Sequence, residues 1–182
     1  MEKQDLRVIK TKRNLFNNLL QLLLTHEFTD ITVTKLCEHS EINRSTFYAH
    51  YSNIDDLFES HMIEIMNKLN EEYKMAYNRI YLLEKDGLTN VFQHILDNRE
   101  FYNILFSEKI PTKFISLFIQ HYMQLPKEII SKAVRSEIDY ELYYIFCASA
   151  TIGVINHWCK TGYAKSTLEM SKQIMTFFSI NL

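Results

Sequence analysis

Glycine and proline are nearly missing from this chain: three and two residues in 182. So few breakers exclude a turn-rich sandwich or barrel and favour long helices with short connections. No stretch alternates apolar and polar residues with period two for long enough to make a sheet strand. The three cysteines, Cys37, Cys147 and Cys159, match no metal-ligand spacing and no disulfide framework, which fits a reduced, cytoplasmic protein. The charged N-terminus, MEKQDLRVIK, has no apolar segment of the signal-peptide kind. The longest run without charge, Leu142–Cys159, contains Ser149, Thr151, Asn156 and His157. It falls short of the roughly 20 apolar residues of a membrane span and reads as a buried helix. Enzyme signatures are absent too: no His-x-x-x-His with Glu, no Glu-x-x-His pair and no glycine-rich phosphate loop. No cofactor and no metal site is expected.

What is present is apolar and aromatic. Hydrophobic residues make up 47% and aromatic ones 13%, enough for a substantial core in one domain or in a domain with a small head. The net charge of −2 carries no nucleic-acid signal. Residues 1–51 nevertheless hold seven Lys and Arg against six Asp and Glu, while the remainder holds thirteen against sixteen. That polarity suits a DNA-facing head but is too small to decide anything.

Helical periodicity predicts a first helix over about Asp5–Thr25, with Val8, Ile9, Leu15, Phe16, Leu19, Leu20, Leu23 and Leu24 on its apolar face and Lys3, Arg7, Lys10, Lys12 and Arg13 along its opening turns. After a break at His26–Asp30, Thr32 is a good N-cap for a short helix to about His39, whose Val33, Leu36 and Cys37 form one stripe. Ser40-Glu41-Ile42 reads as a turn. Asn43 then caps a second short helix, Arg44 to about His50, in which Phe47 points inward and Arg44, Ser45, Thr46, Tyr48 and His50 are polar. Helix, three-residue turn and polar second helix make a helix-turn-helix. Asn53 caps a linking helix from Ile54 towards Asn70, followed by helical segments at 71–84, 88–98, 99–107, 111–124, 126–136, 139–160 and from Ser166 or Thr167 to about Phe178. Gly87 is expected to close one of them from the left-handed position. The fold class is therefore all-α: a head of residues 1–53 and a helical body of residues 54–182, with about nine helices in all.

Residues 13–58 resemble the DNA-binding domain of the TetR (tetracycline-repressor-like) family of bacterial transcription regulators. Thr32, Val33, Leu36, Cys37, Ile42, Thr46, Phe47, Tyr48, His50, Tyr51, Asn53 and Leu57 match its pattern at fixed spacing. FQHILDNREFYNILFS (92–107) and TIGVINHWCKTG (151–162) are similar to the subgroup of dihydroxyacetone-kinase regulators. The chain departs from the pattern at Asn43, Arg44 and Ser45, where Ser-Lys-Gly is common, and at Ile54, where a lysine often stands.

The resemblance implies a homodimer that binds a palindromic double-stranded DNA operator, controlled by an unidentified small-molecule effector, and not a membrane. A repressor is the first expectation and a ligand-dependent activator the alternative; a protein-binding adaptor is a third. An α-helix fits the major groove, so the DNA-binding candidates are Thr32, Thr34, Asn43, Arg44, Ser45, Thr46, Tyr48 and His50. Arg44 reads a guanine or holds a phosphate. Effector candidates are His94, Tyr102, Phe118, His121, Tyr122, Tyr144 and Cys147. Dimer-surface candidates are Ala150, Gly153, Trp158, Met170, Ile174 and Phe177, on the last two helices.

Overall fold

The computed structural model describes residues 6–124 and 139–180. Among these residues there are nine α-helices, a short 3-10 helix at Phe28–Asp30, and no strand. The helices are α1 (Leu6–Leu23), α2 (Val33–Ser40), α3 (Arg44–Tyr48), α4 (Ile54–Tyr81), α5 (Thr89–Asp97), α6 (Arg99–Leu105), α7 (Thr112–Gln124), α8 (Tyr140–Lys160) and α9 (Thr167–Ile180). The all-α expectation holds. The helix expected at 126–136 lies outside the described residues.

Helix starts follow the local chemistry. The Thr32 hydroxyl accepts the Lys35 N–H at 3.2 Å. Asn53 Oδ1 accepts the Asp56 N–H and caps α4, while the Asp56 carboxylate accepts the N–H of Ser52, the residue before the cap. Asp139 Oδ1 accepts the N–H groups of Glu141 and Leu142, and Ser166 and Glu169 cap α9 reciprocally. Asn43 occupies the cap position of α3 in extended conformation but makes no side-chain capping bond.

Three expectations are corrected. The segments foreseen as 54–70 and 71–84 are one helix of 28 residues, about 42 Å long. Nothing between Asn70 and Glu71 breaks the helix, and a change of apolar face along the chain is not a stop. Gly87 does not close α4. Leu83 takes the left-handed position (φ 55°), and the Glu84 N–H returns to the Arg79 carbonyl at 2.9 Å. Gly87 instead permits close packing: a Cβ there would lie 3.0 Å from the Glu84 carbonyl oxygen. Finally, α3 ends at Tyr48, so His50 lies beyond it.

Head and body share one core. Phe16 of α1, Phe28 of the 3-10 helix, Phe58 of α4, Phe101 of α6 and Phe114 of α7 meet ring to ring, Phe58 and Phe114 at 4.6 Å between centroids. The loop before α7 holds the end of α1. The Lys109 carbonyl accepts the Phe28 N–H at 3.0 Å, and Lys109 Nζ donates to the Leu23 carbonyl at 3.2 Å and to that of Leu24. In the body, buried Ser171 of α9 accepts the Leu88 N–H and donates to the Lys85 carbonyl, fastening α9 to the start of α5.

Candidate nucleic-acid interface and effector region

The α2–turn–α3 unit is built inward from its apolar residues. Leu36, Cys37 and Phe47 are buried against α1, and Phe47 is fully enclosed at 0% exposure. Glu41 enters the left-handed region (φ 56°), and the Ile42 N–H closes back onto the Cys37 carbonyl at 3.0 Å. Asn14 Nδ2 on α1 donates to the Ser40 carbonyl at 3.2 Å, fixing the end of α2. With Phe47 and Tyr51 anchored, the opposite face of α3 is turned out. Asn43, Arg44 and Ser45 are exposed, Thr46 is half-buried, and Tyr48 is 52% exposed. None of these five side chains makes a hydrogen bond or ion pair with a described residue. Thr32 and Thr34 are exposed at the start of α2, where free N–H groups favour anions. His50 is half-buried beside Tyr51.

Tyr51 ties this unit to the rest of the chain. Its hydroxyl meets His61 Nε2 of α4 at 3.1 Å, Lys12 Nζ lies 5.7 Å over its ring, and His61 stacks on Phe16 at 4.3 Å. Burial pushes the His61 imidazole below its ordinary value, while Glu64 and the Lys12 carbonyl pull the other way. His94 of α5 is shifted down as well, by burial first and then by Lys68. Between the ordinary imidazole value of about 6.5 and these depressed folded values, the unfolded chain binds more protons than the folded one. The stability that rests on neutral His61 and His94 is therefore complete above about pH 6.5 and is lost as pH falls towards the folded values. The midpoint of thermal unfolding is expected to drop between about pH 7 and about pH 5, less steeply in His61→Gln. An identical slope in that variant would remove His61 from the account.

The effector candidates divide. Tyr102, Phe118 and Tyr122 are buried together, with ring centroids 6.1 Å and 6.0 Å apart in sequence, and the Tyr122 hydroxyl meets that of Tyr73 at 2.5 Å. The Tyr102 hydroxyl and His94 Nε2 are buried without a hydrogen-bond partner among the described residues. His121 is spent on its own helix, its Nδ1 3.0 Å from the Leu117 carbonyl oxygen. Cys147 is buried on α8, where burial raises its thiol. The side chain of Tyr144 lies outside the described residues. A cleft of about 900 Å³ opens elsewhere, between α1, α4 and the α5–α6 corner, and none of these candidates lines it.

The dimer-surface candidates divide more sharply. Trp158 is 2% exposed, packed edge-on to Phe92 (5.5 Å) and Tyr163 (5.0 Å), with its N–H donated to the Lys165 carbonyl. Met170 and Ile174 are also buried within the single chain. These three are core residues, because α8 and α9 first close over α5. Ala150 and Gly153 face outward, and Phe177 is half-exposed. Leu142, Ile145 and Phe146, the last 58% exposed, belong to the same outer stripe and were missed. Their spacing with Ser149, Ala150 and Gly153 is helical, but an uncharged helix shows two such stripes and does not mark the outer one.

Residues 84–179 match a family described as "Transcriptional regulator C-terminal region", the C-terminal part of TetR-type proteins. The chain belongs to the TetR family of transcriptional regulators. No curated protein matches this regulator in sequence. Solved structures do match its fold. The fatty acid degradation regulator FadR from Bacillus halodurans superposes with a TM-score of 0.73 at 16% identity, over 91% of this chain and 92% of that one. The TetR transcriptional regulator from Streptococcus agalactiae superposes with 0.70 at 19%, over 96% of each. The dihydroxyacetone kinase operon activator DhaS superposes with 0.65 at 20%, over 95% and 96%. No described helix of this TetR-family regulator is long and apolar enough to cross a membrane.

Proposed function

We propose that this regulator binds a palindromic operator as a homodimer, through a head of residues 1–53, and that a small molecule in the body of residues 54–182 controls the affinity. The observation that carries the reading is the outer face of α3. Arg44, Ser45, Thr46 and Tyr48 are displayed together with no hydrogen bond or ion pair from their side chains to a described residue, on a helix held by fully buried Phe47. Hydrogen-bonding side chains left unpaired on a rigid convex surface suit base edges and phosphates. Thr32, Thr34, Asn43 and His50 flank that face and suit the DNA backbone.

Two heads are needed to read a palindrome, and specificity multiplies between them. The outer stripe of α8, from Leu142 through Phe146 and Ala150 to Gly153, together with Phe177 of α9, is the surface that fits a second copy. A Cβ at Gly153 would meet nothing within 4 Å, so the helix offers its backbone to close approach there. Tyr102, Phe118 and Tyr122 are the centre of the effector region in this reading, with His94, His121, Tyr144 and Cys147 as its further candidates. The unpartnered Tyr102 hydroxyl and His94 Nε2 supply polar groups for a weakly polar ligand. FadR from Bacillus subtilis was solved in complex with stearoyl-CoA, so a body of this fold accommodates a small molecule.

Repression in the cytoplasm is the first reading, in keeping with NalD from Pseudomonas aeruginosa, a secondary repressor of an efflux pump. Activation is the second, favoured by the likeness to DhaS, an operon activator. Selection from a random duplex pool tests the DNA reading. A palindrome should be enriched, with affinity falling steeply as salt rises. No enrichment, or binding indifferent to salt, would reject it in favour of a protein-binding adaptor.

A further inference from the structure

The cleft between α1, α4 and the α5–α6 corner has an unusual lining. Four fixed cations face it, Lys12 and Arg13 from α1, Lys68 from α4 and Arg99 from α6. Four carboxylates face it as well: Glu64, Glu71, Asp97 and Glu100. Charges of opposite sign on one crease ordinarily pair. Here no Lys or Arg of the lining forms an ion pair with a described carboxylate; the one acid in ion-pair range of a lining residue is Glu64, 3.6 Å from His61 Nδ1. Phe16, Ile65 and Phe101 supply apolar wall between the charges.

We propose that this cleft binds a small zwitterion, a molecule of amino-acid or short-peptide size with both an ammonium and a carboxylate, and that occupancy is transmitted to α3. The proposal rests on the DNA-binding reading only for the purpose of the transmission. An anion alone would meet four carboxylates, and a cation alone four cations. An apolar ligand would strip water from eight charges without replacing it. A zwitterion pairs with both signs at once, and a volume of about 900 Å³ lies within the range of small-molecule sites.

The route to α3 is short. His61 and Phe16 are part of the cleft wall and stack on each other. His61 Nε2 meets the Tyr51 hydroxyl, and Tyr51 packs on Phe47 at 5.9 Å, the residue that anchors α3. A ligand that draws Lys12 and Arg13 of α1 towards Glu64 of α4 and the acids of the α5–α6 corner alters the α1–α4 contact on which His61 sits. Only differential affinity for two α1–α4 arrangements shifts their populations, and a ligand spanning both helices has it. This site is separate from the tyrosine cluster of the body.

The test uses the full chain without DNA. Free amino acids and glycine oligopeptides are the probes, with their N-acetyl derivatives (anion only) and amides (cation only) beside them, followed by calorimetry and by amide chemical shifts. At least one zwitterion should bind, with both blocked forms weakened about tenfold or more, and Arg99→Gln and Glu64→Gln should each weaken it about tenfold. Tyr102→Phe, in the body cluster, should leave its affinity unchanged. Binding should move the α3 amide resonances, and Tyr51→Phe should abolish that movement while keeping affinity. No binding by any zwitterion, equal binding of a blocked form, or indifference to Arg99→Gln and Glu64→Gln would show a solvated charged crease and overturn the site. Movement of α3 that survives Tyr51→Phe would overturn the route. None of these readings depends on whether an operator is found.

Discussion

Phe58→Ala is expected to destabilise the chain by about 3–5 kcal/mol, the cost typical of emptying a buried aromatic site. Phe58 is completely buried and is the one ring that touches Phe16, Phe28, Phe101 and Phe114 together. Its loss removes apolar burial and leaves a cavity lined from α1, the 3-10 helix, α6 and α7. Those elements are held apart by one another, so the site collapses poorly and the cavity term stays large. For a protein of this size each kcal/mol lowers the unfolding midpoint by about 2–4 °C, so a fall of about 6–20 °C is expected. Phe58→Leu, which keeps most of the volume, should cost about 1–2 kcal/mol. Denaturant titration of the two variants checks both figures. A loss below about 1.5 kcal/mol for the alanine variant would mean that head and body do not share this core.

Arg44→Ala is expected to act on operator binding and hardly at all on folding. The side chain is exposed and unpaired, so stability should stay within about 0.5 kcal/mol of the parent. A bidentate arginine–guanine contact is worth about 1–3 kcal/mol, and the proposed dimer would carry two such residues, so operator affinity should fall by about 2–6 kcal/mol. The pattern of the loss identifies the contact. If Arg44 reads a base, affinity for the selected operator falls while affinity for unrelated duplex is nearly kept, and preference at one position of each half-site relaxes. If it holds a phosphate, all duplexes weaken alike and the salt dependence becomes shallower. Binding of the operator unchanged in Arg44→Ala would remove α3 from the interface.

Local chemistry was legible in the sequence wherever a side chain acts on its own backbone. Thr32 and Asn53 each cap the helix they were expected to cap, and Ser166, one of two residues expected at the start of the last helix, caps it, because an N-cap bond spans only two or three residues. The inward roles of Leu36, Cys37, Phe47 and Tyr51 followed from spacing against a short helix with one polar face. Asn43 kept its place but not its bond, and a five-residue helix was drawn two residues too long. The end of α4 was misread because Leu83 takes a left-handed conformation usually left to glycine, while the glycine nearby serves close packing. The missed junction of Phe16, Tyr51 and His61 spans forty-odd residues of chain, and no local pattern joins them.

The sequence by itself determined that this protein is all-α and carries a helix-turn-helix near its start. It also determined which face of α3 is displayed: periodicity and capping are local, and a short helix with only Phe47 to bury, followed by buried Tyr51, has one way to turn. Only the tertiary structure decided how the uncharged α8 divides its two apolar faces. Ala148, Ile155 and Trp158 of α8 went to the core, Trp158 against Phe92 of α5, and Leu142, Ile145, Phe146, Ala150 and Gly153 to the surface. Both faces satisfy the same helical spacing, and the choice belongs to α6 and α7, which pack on one of them. The displayed face of α3 thus rests on contacts within about twenty residues, whereas the outer apolar stripe of α8 and the charged cleft exist only after distant helices have packed.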